Sequence, residues 1–195
     1  MNLIQIMLAE GNKNVKKNSS FQTKIAIQSG TVRLATTSVM AALIAVTTVL
    51  AIPMPPPLST ITLAPIAIFV VGILMDPLSA LVSSAIGSGL GFLAGASIGT
   101  INVPPGFFSI FLVGIILARG PMGFTVGLLR KVDEVAAMAM GVLVETAIFF
   151  IMDWYLFGFS VSLITLGTLI DLVFVSVGYL SLKGIRKMLN ITYLA

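Results

Sequence analysis

The most informative stretch of the sequence is Ala118-Arg119-Gly120-Pro121-Met122-Gly123, because it places a cation in the middle of an apolar run. The run covers residues 107–129, and it is long enough to cross a bilayer only if Arg119 lies inside the membrane. A charge at that depth costs at least about 2–3 kcal/mol, so it is expected to pair or to face a cavity. The sequence therefore predicts a membrane protein with an arginine at a functional or paired position.

The composition also indicates a membrane protein. Of the 195 residues, 57% are hydrophobic and 9% are charged, whereas about 25% of a soluble domain is charged. The chain has no cysteine and no histidine, which excludes disulfides, zinc sites built on these residues, and Cys or His nucleophiles. It also lacks the Gly-x-x-x-x-Gly-Lys-[Ser/Thr] sequence that holds nucleotide phosphates. We therefore expect no enzymatic activity, no metal, no cofactor bound by this chain and no nucleic-acid partner.

Six apolar segments predict an all-α membrane protein, a bundle of six transmembrane helices. The segments are residues 34–52, 61–74, 78–94, 107–129, 135–152 and 160–182. Segment 78–94 is rich in Gly and Ser, which let helix backbones approach closely in lipid. The predicted organisation is a cytoplasmic tail (1–30), a transmembrane substrate-binding domain (31–189) and a C-terminal tail (190–195).

The basic residues predict the orientation of this bundle. Ten of the eleven Lys and Arg residues lie in the N-terminal tail, in the loop after residue 129 and near the C-terminus. The loops near residues 53–60, 95–106 and 153–159 carry none. Since cytoplasmic loops carry an excess of Lys and Arg, both termini are expected in the cytoplasm of a multi-pass cell-membrane protein.

Three ionisable residues are predicted to share one layer of the membrane. At 1.5 Å per residue, Arg119 lies roughly 18 Å below the outer end of its helix, Glu145 about 15 Å from the inner end of the next, and Asp171 about 16 Å below the outer end of the last. One interpretation is that Arg119 pairs with Glu145 or Asp171 and holds the bundle together. The other is a solute cavity in which Arg119 binds an anionic or carbonyl group, because a guanidinium suits carboxylates and phosphates.

Further candidates lie outside this layer. Asn102, in the turn-rich loop 95–106, and Trp154, in an aromatic cluster expected at the membrane interface, are candidate substrate-binding residues. Ala41 and Ala45 form a small-x-x-x-small face on the first helix. That face either packs within the bundle or, if it points outward, is a docking site.

The chain resembles the S components, the substrate-binding membrane subunits of energy-coupling factor (ECF) vitamin transporters. The resemblance covers about residues 33–187. It rests on Ala41-Ala42-Leu43-Ile44-Ala45, a Pro-rich loop (53–57) leading to Ile61-Thr62-Leu63-Ala64-Pro65, the turn Met75-Asp76-Pro77, a glycine-rich third helix, and a basic-Gly-x-x-Gly-x-x-x-Gly segment that begins at Arg119 and ends at Arg130-Lys131.

The resemblance implies the capture of a small water-soluble vitamin or related micronutrient. Ala41 and Ala45 would meet a transmembrane T component, and two partner ATPases would use ATP to drive uptake. Two alternatives stay open: a proton-coupled secondary transporter using Glu145 or Asp171, and a structural membrane subunit whose buried charges only stabilise the bundle.

Overall fold

A computed structural model describes residues 30–53, 60–101, 103 and 106–188. The chain separates into two compact units, residues 1–36 and 37–195. Within the first unit, the hydroxyl of Thr36 donates to the carbonyl of Val32 at 2.8 Å. In chain order the elements are α1 (Gly30–Val49), β1 (Ala51–Pro53), β2 (Thr60–Thr62), α2 (Ala64–Leu74), α3 (Pro77–Ser97), α4 (Phe108–Leu129), α5 (Glu134–Phe157), α6 (Phe159–Thr165), a 3₁₀ helix (Leu166–Ile170) and α7 (Asp171–Met188).

The helices confirm the predicted helical class. Among the described residues, five helical stretches are long and apolar enough to cross a bilayer. They are α1, α3, α4, α5 and the continuous stretch Phe159–Met188. The remaining predicted span, the second (61–74), corresponds to α2, whose 11 residues give a length of about 16 Å, against a hydrocarbon core of about 30 Å.

Helix α2 lies at the centre of the bundle. Nine of its eleven residues are buried, as expected for a helix that is apolar on every side. Its largest fully buried side chains are Ile68, Phe69 and Val71, and it contacts α3, α4 and α7. The side chain of Phe69 packs directly against Gly178 of α7. Neighbouring helices, rather than lipid, therefore surround most of this short helix.

A β-hairpin replaces the helical ends that the sequence predicted at residues 51–52 and 61–62. β1 and β2 pair antiparallel, with Ala51 opposite Thr62 and Ile52 opposite Ile61. The amide of Leu63 extends the pairing by donating to the carbonyl of Leu50 at 3.2 Å. The β-branched residues of both strands favour this extended backbone. Residues 54–59, which include most of the predicted Pro-rich loop, lie outside the described residues.

The turn between α2 and α3 is fixed by a cap and by an arginine. The carboxylate of Asp76 accepts a hydrogen bond from the amide of Ser79 at 3.1 Å, and Pro77 is the first residue of α3. From the end of α4, Nη1 of Arg130 donates to the carbonyl of Ile73 at 2.9 Å and to that of Met75. Arg130 thereby satisfies carbonyls at the end of α2 that have no partner within their own helix.

The last two predicted helices differ from the structure in their boundaries. Helix α5 continues to Phe157, five residues beyond the predicted end, and it stops at Gly158, which has a φ of 88°. The predicted single helix at 160–182 consists of α6, the 3₁₀ helix and α7. A 3₁₀ segment inside a longer helix is a common feature of functional sites, and Asp171 follows it directly.

Candidate functional site

Arg119 joins three elements of the bundle. Its side chain extends from α4 and is 7% exposed. Nε donates to Oε1 of Glu145 at 3.1 Å, and Nη2 donates to the hydroxyl of Thr62 in β2 at 2.7 Å. The third nitrogen, Nη1, is buried and has no hydrogen-bond partner among the described residues. The arginine is therefore an ion-paired group that ties α4 to α5 and to the hairpin.

The backbone around Arg119 allows this position. Helix α4 runs without a break from Phe108 to Leu129, although Pro121 lies inside it. Gly120 and Gly123 face α3, where an added Cβ on Gly123 would lie 2.9 Å from the carbonyl of Ala80. These glycines bring α4 close to α3, and Arg119 projects to the other side, toward α5.

Glu145 is the most deeply buried ionisable residue among those described. It lies in the middle of α5 with 2% of its surface exposed. One carboxylate oxygen accepts from Arg119, and the other, Oε2, has no partner in the part of the chain that the structure describes. Because an unpaired charge at this depth is costly, the ion pair with Arg119 accounts for its burial.

Asp171 is the second carboxylate in this region. It is the first residue of α7 and is 8% exposed. It makes no hydrogen bond or ion pair with any other described residue. The positive end of the α7 dipole favours a negative charge at this position, but that effect is smaller than an ion pair. Asp171 is thus a buried acid with no hydrogen-bond or ion-pair partner among the described residues.

Arg119, Glu145 and Asp171 line one cavity of about 410 Å³. A cavity of this size holds a small organic molecule. Its polar lining also includes an acid on α5 and four threonines: Asp153, Thr48, Thr62, Thr165 and Thr168. Its apolar lining consists of four phenylalanines, seven aliphatic residues and a glycine: Phe92, Phe111, Phe149, Phe157, Ile61, Ile101, Val103, Ile115, Val161, Ile164, Ile170 and Gly167.

Threonine hydroxyls connect α5 to the region around the 3₁₀ helix. Thr165 donates to Oδ2 of Asp153 at 2.6 Å, and Thr168 donates to the carbonyl of Thr165 at 2.8 Å. Since the single hydroxyl proton of Thr168 is used there, Thr146 donates to Thr168 across the 2.9 Å between their oxygens. These bonds hold the wall that carries Asp171 against α5.

Of the other two predicted substrate-binding residues, the structure describes Trp154, which lies outside the cavity. Trp154 is 54% exposed and is not part of the cavity lining. Its ring packs against Phe150 and Phe159, with centroids 6.2 Å and 5.8 Å away. The structure therefore places Trp154 in an aromatic cluster on the surface of the bundle. Asn102 lies outside the described residues.

The face of α1 that carries Ala41 and Ala45 packs against α3. Ala41 is 6% exposed. A Cβ added to Gly87 would lie 2.5 Å from the carbonyl of Ala41, and one added to Gly91 would lie 2.5 Å from that of Ala45. Of the two interpretations of this face, its geometry favours packing within the bundle. A docking role for these alanines would require another protein to reach a face that α3 already covers in part, since Ala41 is buried and Ala45 is half-buried.

The sequence interpretation missed several residues of the site. Asp153 lies one residue beyond the predicted end of its helix at residue 152, yet the helix continues past it. The side chain of Thr62 carried no signal, since a threonine at the start of a predicted helix is unremarkable. The phenylalanines of the lining were indistinguishable from those that face lipid, because both kinds lie in apolar runs.

Comparisons with known proteins add no family to this description. The chain matches no protein-family model, no curated protein and no solved structure. What the site can bind must therefore be inferred from the residues that line the cavity. It offers an apolar, aromatic volume with an internally paired arginine, an unpaired aspartate and hydroxyl groups, which suits reversible binding of a small polar molecule.

Proposed function

We propose that this chain is the substrate-binding S component of an ECF-type importer. In this role it captures a small water-soluble vitamin or related micronutrient at the cell membrane. A transmembrane T component and two ATPase subunits then drive uptake, and ATP is used by those partners rather than by this chain. The substrate would bind in the cavity that Arg119, Glu145 and Asp171 line.

The cavity is the observation that carries the binding part of the proposal. A structural subunit needs its buried charges to be paired, and it has no use for a volume of about 410 Å³ beside them. Asp171 is buried, lines this volume and has no partner in the described part of the chain. A bound solute that contacts Asp171 would remove the cost of burying it.

The family part of the proposal rests on the sequence features given above. The order of the Ala-x-x-x-Ala helix, the Pro-rich loop, the glycine-rich helix and the Arg119 segment resembles S components. Docking of a T component through Ala41 and Ala45 stays a prediction, and their contact with Gly87 and Gly91 argues that any docking surface includes other residues of α1 as well.

The proposed topology has six membrane helices and both termini in the cytoplasm. Helix α2 counts as the short second helix, supported inside the bundle by α3, α4 and α7. The basic residues at the ends of α4 and α7 would face the cytoplasm, as the excess of Lys and Arg in cytoplasmic loops requires. The aromatic cluster of Phe150, Trp154 and Phe159 would then lie near the outer surface.

Mass spectrometry of small molecules tests the function directly. The full chain is purified in mild detergent and denatured, and the released molecules are compared with those from a purification of an unrelated membrane protein. We expect one micronutrient in near-stoichiometric amount, and its uptake into cells should stop when the ATPase subunits are inactivated. A protein that releases nothing and binds no compound from a vitamin mixture would contradict the proposal.

Proton-coupled secondary transport is the second candidate function, and the unpaired Asp171 favours it. A buried acid in a membrane cavity is the kind of group that carries protons in transporters. An ionophore that collapses the proton gradient separates the two functions. ECF-type uptake should continue while ATP is present, whereas proton-coupled uptake should stop at once.

A further inference from the structure

The charges in the cavity do not balance. Arg119 is the cavity's cation, and Glu145 neutralises it at 3.1 Å. Two further carboxylates, Asp153 and Asp171, line the same cavity. With all four groups ionised, one positive charge faces three negative ones. The described lining therefore contains three acidic side chains and one basic one, and it differs from the anion site that an isolated arginine would form.

Arg119 has little left to offer a ligand. Nε and Nη2 are engaged by Glu145 and Thr62, and Nη1 is itself buried from solvent. An anionic ligand could reach only Nη1 unless it broke the ion pair, which would leave Glu145 buried without its partner. Breaking a buried pair in this way is strongly unfavourable, because it leaves an uncompensated buried charge. The expected contact between Arg119 and an anionic group is thus disfavoured by the geometry.

Asp171, unlike Arg119, has a charged group that no described residue pairs with and that a ligand could therefore contact. It is more than nine-tenths buried, lines the cavity and has no hydrogen-bond or ion-pair partner among the described residues. A bare carboxylate at this depth is expensive. A ligand that brings a positive group removes that expense, whereas a neutral or anionic ligand leaves it in place or increases it.

The apolar walls suit the rest of such a ligand. Four phenylalanines line the cavity: Phe92, Phe111, Phe149 and Phe157. The faces of aromatic rings attract cations and pack against flat apolar groups. Within the described residues, no three acidic side chains come together as a metal site.

We propose that the cavity selects a small organic cation with an aromatic or apolar body, whose positive group pairs with Asp171. This inference rests on the proposed substrate-binding function and narrows its substrate to cationic compounds. Asp153, which is held by Thr165, adds a second negative charge to the same cavity. The Arg119–Glu145 pair stays intact when the ligand binds and forms part of the wall.

Three probes of nearly the same shape test which ligand charge the cavity prefers. Benzamidine is cationic, benzamide is neutral and benzoate is anionic at neutral pH. Each is added at millimolar concentration to the purified full chain in detergent, and the thermal unfolding temperature is recorded. We expect benzamidine to raise this temperature, and the other two probes to have little effect.

Matched variants locate the positive group. Asp171→Asn should weaken benzamidine binding by about tenfold or more, since a charge-assisted hydrogen bond is lost. Asp133→Asn is the control: it makes the same chemical change at an exposed N-cap of α5, where Asn also caps well. It should leave benzamidine binding unchanged.

Several results would overturn the inference. They are a larger shift with benzoate, equal shifts with all three probes, no shift with any of them, or undiminished benzamidine binding by Asp171→Asn. The probe comparison uses the unmodified protein, so it decides the question even if Asp171→Asn fails to fold. Release of an anionic or neutral micronutrient from the purified chain would support the proposed function while refuting the preference for cations.

Discussion

Nε of Arg119 on α4 lies 3.1 Å from Oε1 of Glu145 on α5, and both side chains are buried. Removing either partner leaves the other buried and unpaired. We predict that Arg119→Met and Glu145→Met each lower the free energy of unfolding by about 3–5 kcal/mol, whereas the double variant recovers most of the loss. A double-mutant cycle measured by thermal unfolding in detergent checks this. Additive losses in the double variant would show that the pair is not a unit.

The hydroxyl of Thr62 holds a second nitrogen of the same guanidinium. It accepts from Nη2 of Arg119 at 2.7 Å. Thr62→Val keeps the shape and leaves this donor unsatisfied, which should cost about 1–3 kcal/mol of unfolding free energy. Thr47→Val is the control, because the Thr47 hydroxyl bonds only carbonyls of its own helix, and it should have a smaller effect. Equal unfolding temperatures for the two variants would refute a role for Thr62 in holding Arg119.

The close contact of α1 with α3 depends on Gly87. A Cβ at this position would lie 2.5 Å from the carbonyl oxygen of Ala41, a backbone atom that cannot move without shifting the helix. We expect Gly87→Ala to lower the free energy of unfolding by about 1–3 kcal/mol. Gly184→Ala is matched in chemistry and lies in α7 with open space around it, so it should be neutral or slightly stabilising. The test fails if both variants unfold at the same temperature.

Filling the cavity should remove the solute without unfolding the protein. Ile115 on α4 lines the cavity, whereas Leu117 on the same helix is 56% exposed and does not. Ile115→Trp should therefore reduce the small molecule that co-purifies by about tenfold or more, since the larger side chain occupies its volume. Leu117→Trp should retain it, because its ring would face lipid. Mass spectrometry of both proteins measures the difference, and full retention by Ile115→Trp would place the ligand elsewhere.

The topology can be tested by labelling because the chain contains no cysteine. Lys131 and Tyr155 are both exposed. Lys131 lies just before the first residue of α5, and Tyr155 lies near the C-terminal end of that helix. In intact cells a membrane-impermeant maleimide should label Tyr155→Cys and leave Lys131→Cys unmodified. Permeabilised cells should allow both to react, which shows that each site is accessible. The reverse pattern would place the termini on the outer side.

Counting residues along the predicted helices was enough to predict that the three ionisable residues of the site lie at similar depths. A rise of 1.5 Å per residue is nearly constant, so the depths of Arg119, Glu145 and Asp171 followed from the ends of three apolar runs. The structure brings these three side chains to one cavity. Rotation about the helix axis is harder to predict, because apolar residues surround each helix and no polar face marks the interior.

That lack of a polar face explains what the sequence did not reveal. In water the exposed side of a helix is polar, whereas in lipid both sides are apolar, so the lining phenylalanines and those facing lipid look alike. The partner of Arg119 could not be chosen between Glu145 and Asp171 for the same reason. The face of Ala41 and Ala45 was equally ambiguous, because small residues serve packing inside the bundle as well as docking outside it.

The 3₁₀ helix sets the direction in which Asp171 points. Each of its residues advances about 120° and 2.0 Å, against about 100° and 1.5 Å in an α-helix. Over the five residues Leu166–Ile170, conversion to α-helix would turn Asp171 by about 100° relative to α6 and shorten the segment by about 2.5 Å. The orientation of the Asp171 carboxylate is thus determined by the helical geometry of five neutral residues that precede it.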